Sequence, residues 1–139
     1  MQQQIAVVTL GVSDIARARA FYCCGFGWAP VFETPEIVFF QMNGLVLGLW
    51  GKDALAQDSG RVATGAGSIA LAHNVLSREA VDEAMASLVA AGATITRPAD
   101  EPPHGGYRGY VADPDGHAWE IAWNPVWPID AEGHVRFAL

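Results

Sequence analysis

The sequence predicts an α+β fold of two βαβββ modules in tandem, with curved mixed sheets enclosing a cavity. Three observations lead there. A strand-like run followed by a capped helix occurs twice, over residues 5–24 and again over residues 68–91. Each is followed by apolar strands around a tight turn, Asn43-Gly44 in the first half and Asp113-Pro114-Asp115-Gly116 in the second. A stretch without periodicity separates the halves. A repeat this long marks a duplicated unit rather than a solenoid array.

Residues 5–12 are rich in β-branched side chains and read as a strand. Ser13 or Asp14 caps a short helix from Ile15 to about Cys24, with Ile15, Ala18 and Tyr22 on one face. Residues 28–33 can form a strand, and residues 37–41 form a stronger one. Asn43-Gly44 is a hairpin turn, because both residues tolerate left-handed backbone. Residues 45–50 return. Residues 52–67, with Asp53, Asp58, Ser59, Gly60, Thr64, Gly65 and Gly67, read as a linker.

The second half repeats the plan. Residues 68–75 form a strand. Ser77 caps a helix over residues 78–91 with Val81, Met85, Leu88 and Val89 as its apolar stripe, and Gly92 ends it. Residues 93–96 are a short strand and residues 97–105 a proline-rich loop. Residues 107–113 and 117–123 form the closing hairpin around Pro114-Asp115-Gly116. The whole, residues 1–139, reads as one domain: a first module over about 5–51, a linker over about 52–67, a second module over about 68–125 and a tail over 126–139.

Composition narrows the partners. Half of the chain is hydrophobic and 17% is charged, which describes a globular domain. The net charge of -7 leaves no basic stripe for nucleic acid, and no apolar run is long enough for a bilayer. The first residues lack the basic and apolar regions of a signal peptide. Cys23 and Cys24 are neighbours in a helical segment, where a disulfide would be strained, so a reduced, cytoplasmic protein is expected. Neither cysteine has an activating partner in the pattern.

The segments TLGVSDIARARAFY and GFGW (9–22 and 25–28), with GYVADPDGHAWE (109–120), resemble those of the vicinal oxygen chelate superfamily. That group holds glyoxalase I, extradiol dioxygenases and bleomycin-binding resistance proteins. The resemblance covers nearly the whole chain and implies the fold, but one fold hosts many chemistries. It also implies four metal-ligand positions on the first and last strands of each module. They fall here on Val7, Gly48, Ser68 and Glu120. Only Glu120 is a good donor, short of the roughly three protein ligands that a catalytic zinc takes. The histidines do not make up the difference. His73 faces away from Ser68, His117 faces away from Glu120, His104 lies in a loop and His134 in the tail. No metal or other cofactor is therefore expected.

Alternation places Arg108, Tyr110 and Ala112 on the face of Glu120, with Tyr110 opposite it and Arg108 diagonal to it, close enough to neutralise it. The matching positions in the first module are Glu36, Val38, Phe40, Val46, Gly48 and Trp50, and the first strands add Val7, Thr9, Ser68 and Ala70. Val111, Trp119, Ile121 and Trp123 should pack under the second helix. His104, between prolines and glycines, can reach the mouth of the pocket. The expected function is metal-independent binding of a small aromatic or cationic molecule by Phe40, Trp50, Arg108, Tyr110, Glu120 and His104, in a homodimer. The alternative is a glyoxalase-like lyase, isomerase or dioxygenase-type enzyme using Glu120 as base or as metal ligand. Whether a reaction is catalysed stays open at this level.

Overall fold

The structure, a computed structural model, describes residues 1–3, 5–67 and 69–138. Strand β1 (Val7–Val12) leads into helix α1 (Ile15–Gly25), whose N-terminus is capped by Asp14 accepting from the Arg17 N–H. Strands β2 (Phe32–Glu33), β3 (Ile37–Gln41) and β4 (Val46–Gly51) complete the first module. Strand β5 (Ala70–Asn74), helix α3 (Arg78–Ala90) capped by Ser77, and strands β6 (Thr94–Asp100), β7 (Tyr107–Ala112) and β8 (Ala118–Trp123) form the second. Each module is one mixed four-stranded sheet, ordered β1-β4-β3-β2 and β5-β8-β7-β6, with the first and last strands of the module parallel.

Three elements differ from the sequence expectation. The linker opens with helix α2 (Lys52–Ser59), ended by Gly60 at φ +68. Its Ala, Leu and Gln residues favour a helix, but none of its residues is buried, so no stripe reveals it. Strand β6 runs on through Arg97 to Asp100. It is an edge strand with register shifts on both sides of Arg97, the setting in which Pro98 is tolerated. Strand β2 is two residues long. The β3–β4 turn uses the two-residue loop Asn43-Gly44, with Gly44 alone at positive φ, whereas Asp113 and His117 flank a three-residue loop in module two.

That one-residue difference reverses the phase of β3. Val38 and Phe40 pair with Leu49 and Leu47 and lie in the core, each 1% exposed. Ile37 and Phe39 pair with Trp50 and Gly48 and take the open face. In module two, Val111, Trp119 and Ile121 pack beneath α3 with Val81, Met85 and Leu88. The fit is close at β7: a Cβ on Gly109 would overlap Met85 Sδ.

The modules join through their helix-covered sides, α1 against α3, and not through their open faces. The Trp119 ring meets Tyr22, Phe26 and Trp28 at centroid distances of 6.0, 4.8 and 5.7 Å. A buried polar clasp fixes this contact. Tyr22 Oη donates to Asp113 Oδ2 at 2.7 Å, and Trp119 Nε1 donates to Tyr22 Oη at 3.1 Å. Asp115 Oδ1 accepts from the Ser13 N–H and hydroxyl, both at 2.8 Å, and from Arg17. His117 Nε2 donates to the Gly11 carbonyl at 2.9 Å. The turn residues of the second module thus hold the β1–α1 corner of the first. The sheets do not close on one another, and each keeps one face uncovered by its module's long helix.

Candidate functional site

The open face of the second sheet carries a polar cluster. On β8, Glu120 stands between Ala118 and Ala122, with Ala72 of β5 beside it and Tyr110 of β7 opposite. Small side chains on three sides leave the carboxylate accessible. Tyr110 titrates above an ordinary phenol, first because of partial burial and then because of the Glu120 carboxylate alongside. The tyrosine is therefore a hydrogen-bond donor throughout the neutral range, held next to an acceptor.

Arg108 shares this face as expected, but it does not hold Glu120. Its guanidinium pairs with Asp100 on the extended part of β6, which also pairs with Arg97 at 3.1 Å. Residues 97–100 carry the pattern of a proline-rich loop but extend β6, so the sequence alone does not reveal this partner. Glu120 is left with Tyr110 as its neighbour. His104 is exposed in a turn closed by the Gly105 N–H and the Pro102 carbonyl, and no described bond joins it to the cluster.

The open face of the first sheet is apolar. Val7, Thr9 and Gly11 of β1 neighbour Val46, Gly48 and Trp50 of β4. Phe39 adds a ring over Gly48, where a Cβ would lie 3.1 Å from Phe39 Cε1. The Phe32 ring follows at a centroid distance of 5.9 Å. Trp50 sits on this face as expected. Phe40 does not: it is core, turned toward Tyr22 and Trp28. Phe39 is the aromatic residue that the sequence reading missed, because Phe39-Phe40 has no alternation to set the phase.

The donor set does not fit a divalent ion in the implied position. Val7 and Gly48 offer no donor atom, Ser68 lies outside the described residues, and the β5 neighbour of Glu120 is Ala72. Among the described residues one other group, Asp130, Glu132 and His134, brings three ligand atoms within 4.8 Å of one another. It belongs to the tail hairpin closed by the Ile129–Val135 bridge, where Asp130 already binds Arg136 and the His134 N–H.

The tail also walls a cleft of 440 Å³ between the modules, lined by Trp28, Leu71, His73, Trp119 and Val135. His73 lies edge-on to Phe26 and Trp28, and burial pulls its pKa below the ordinary value, so the ring is neutral there. Neither this cleft nor its histidine was expected to carry function. Asn43 Nδ2 anchors the tail by donating to the Gly133 carbonyl at 2.9 Å.

The family model of the Glyoxalase/Bleomycin resistance protein/Dioxygenase superfamily matches residues 4–121. A solved glyoxalase-related enzyme from Fulvimarina pelagi is 59% identical, with a TM-score of 0.97 over 99% of this chain and 100% of that one. A glyoxalase/bleomycin resistance protein/dioxygenase family enzyme from Burkholderia phytofirmans is 24% identical, with a TM-score of 0.77 over 86% and 98%. A hypothetical protein from S. aureus is 20% identical, with a TM-score of 0.77 over 89% and 95%. At such identities the last two share the fold alone. No curated protein matches the chain.

Proposed function

Because the chain belongs to the glyoxalase/bleomycin resistance protein/dioxygenase superfamily, we propose that it is a metal-independent binder of a small aromatic or cationic molecule. The ligand rests on the open sheet faces, with Glu120 as its polar anchor. The observation that carries this reading is the setting of Glu120: one accessible carboxylate among Ala72, Ala118 and Ala122, with Tyr110 opposite. A lone carboxylate with an aromatic donor beside it suits a cation or an N–H group on a flat ring. Trp50, Phe39 and Phe32 offer apolar surface of the matching kind in the other module.

Two copies fit this function better than one. Each chain leaves an apolar sheet face and a polar sheet face open, and a two-fold pair would turn one toward the other. Free Cys23 and Cys24 agree with a reducing compartment such as the cytoplasm, and no helix among the described residues is long and apolar enough to cross a membrane.

A second reading is favoured by the contact of Glu120 with Tyr110. The pair could move a proton on a bound ligand without a metal, Glu120 accepting and Tyr110 stabilising the developing anion. The Fulvimarina pelagi relative is described as a glyoxalase-related enzyme, which adds weight to this reading. A thermal-shift screen of aromatic amines, with Glu120→Gln in parallel, tests the proposal. Ligands that raise the melting temperature of the wild type and lose that effect in the variant support it. No stabilisation by any aromatic cation contradicts it.

A further inference from the structure

The chain has eight Lys and Arg residues. Arg17, Arg19, Arg78, Arg97, Arg108 and Arg136 each pair with a carboxylate. Lys52 and Arg61 have no carboxylate partner among the described residues, and both line one cavity of 490 Å³. In a chain with 15 Asp and Glu residues, no carboxylate is found in that lining. The cavity lies between α2, residues 61–67 and the free edge of β1.

That edge adds donors. The Gly11 carbonyl faces away from β4, since it accepts from His117 Nε2. In an extended strand the backbone groups of alternate residues point to the same side. The N–H groups of Thr9 and Gly11 therefore face the cavity and not β4. The lining also carries apolar side chains: Leu55 from α2, which packs against Gly11 beside Lys52, with Val62 and Ile69 exposed at 83% and 55%.

We infer that this cavity binds a small amphipathic carboxylate. Its head lies between Lys52, Arg61 and the β1 edge, and its short apolar body covers Leu55, Val62 and Ile69. The site shares no residue with the Glu120 cluster and does not depend on what that cluster binds. Two unpaired cations and two backbone donors in one cavity free of carboxylates supply the charge-assisted hydrogen bonds that a carboxylate needs. The exposed side chains explain why the body must be apolar, because covering them removes them from water.

Calorimetric titration of the full chain with hexanoate, acetate and inorganic phosphate tests it. Hexanoate is expected to bind saturably and more tightly than the other two. The double variant Lys52→Gln, Arg61→Gln is expected to bind it about tenfold more weakly. Val62→Asp, which places a carboxylate in the cavity, is expected to weaken it likewise, and Glu120→Gln to leave it unchanged. Both cations are exposed and pair with no carboxylate among the described residues, so their replacement breaks no described ion pair. Absence of saturable hexanoate binding, equal affinity for acetate or phosphate, or an unaltered affinity in the double variant overturns the inference.

Discussion

Replacing Tyr22 by Phe removes one oxygen from the clasp between the modules. Tyr22 is 0% exposed, and Asp113 and Trp119 are 4% exposed each, so no water replaces the missing hydroxyl. Asp113 Oδ2 loses its donor at 2.7 Å, and Trp119 Nε1 loses its acceptor at 3.1 Å. A hydrogen bond to a charged group contributes about 1.5–3 kcal/mol, and a buried donor left alone costs about 1–3 kcal/mol. Asp113 Oδ1 still accepts from the N–H groups of Asp115 and His117, which keeps the carboxylate partly satisfied. The expected loss is about 2–5 kcal/mol, or roughly 6–18 °C in Tm for a domain of this size. Thermal denaturation followed by circular dichroism measures it. Tyr107→Phe is the control, because its bond to Asp82 is exposed, and it should shift the melting temperature far less than Tyr22→Phe does. Burial and the Asp113 carboxylate push the Tyr22 phenol far above its ordinary value of 10.0. Its contribution is therefore present below that value and is lost as pH rises past it, a loss that the variant should lack. A Tyr22→Phe protein melting within about 2 °C of the wild type would refute the clasp as a stabilising element.

Gly109→Ala should destabilise by about 1–3 kcal/mol, since its Cβ would overlap Met85 Sδ and lie 3.1 Å from the Ala99 Cα; urea unfolding reads this. His73 has its pKa lowered by burial, so the unfolded chain takes up the proton first. Stability should fall as pH drops from the ordinary value of 6.5 to the lower folded one, and His73→Phe should flatten that stretch of the profile. Arg108→Ala should leave Asp100 paired, because that carboxylate is half exposed and keeps Arg97 as a partner, so its cost comes from the packing of the Arg108 stem, whose side chain is 13% exposed; urea unfolding reads it. It should leave ligand binding at Glu120 nearly unchanged if Asp100, and not Glu120, is its partner.

The plan of the two modules is legible in the chain because its signals are local. Asp14 and Ser77 are strong caps, and Val81, Met85 and Leu88 repeat at helical spacing. The second hairpin is legible too, since Trp119 and Ile121 alternate with Ala118, Glu120 and Ala122 and fix the face of Tyr110. The phase of β3 is not, because Ile37 to Phe40 are all apolar and the turn length alone decides which ring enters the core. The partner of Arg108 is not, because Asp100 reaches it only through an irregular edge strand whose proline suggests a loop. The docking role of Asp115 and His117 lies beyond any local pattern: each meets a residue about a hundred positions away. The motif looks like a turn and serves also as the joint between modules.

The central claim is that Glu120 anchors a ligand without a metal. Titration of the metal-free protein with zinc, nickel and manganese, followed by calorimetry and by elemental analysis after desalting, tests it most directly. No stoichiometric uptake is expected at the Glu120 face, in the wild type or in Glu120→Gln. One tightly held divalent ion per chain, lost in Glu120→Gln, would contradict it.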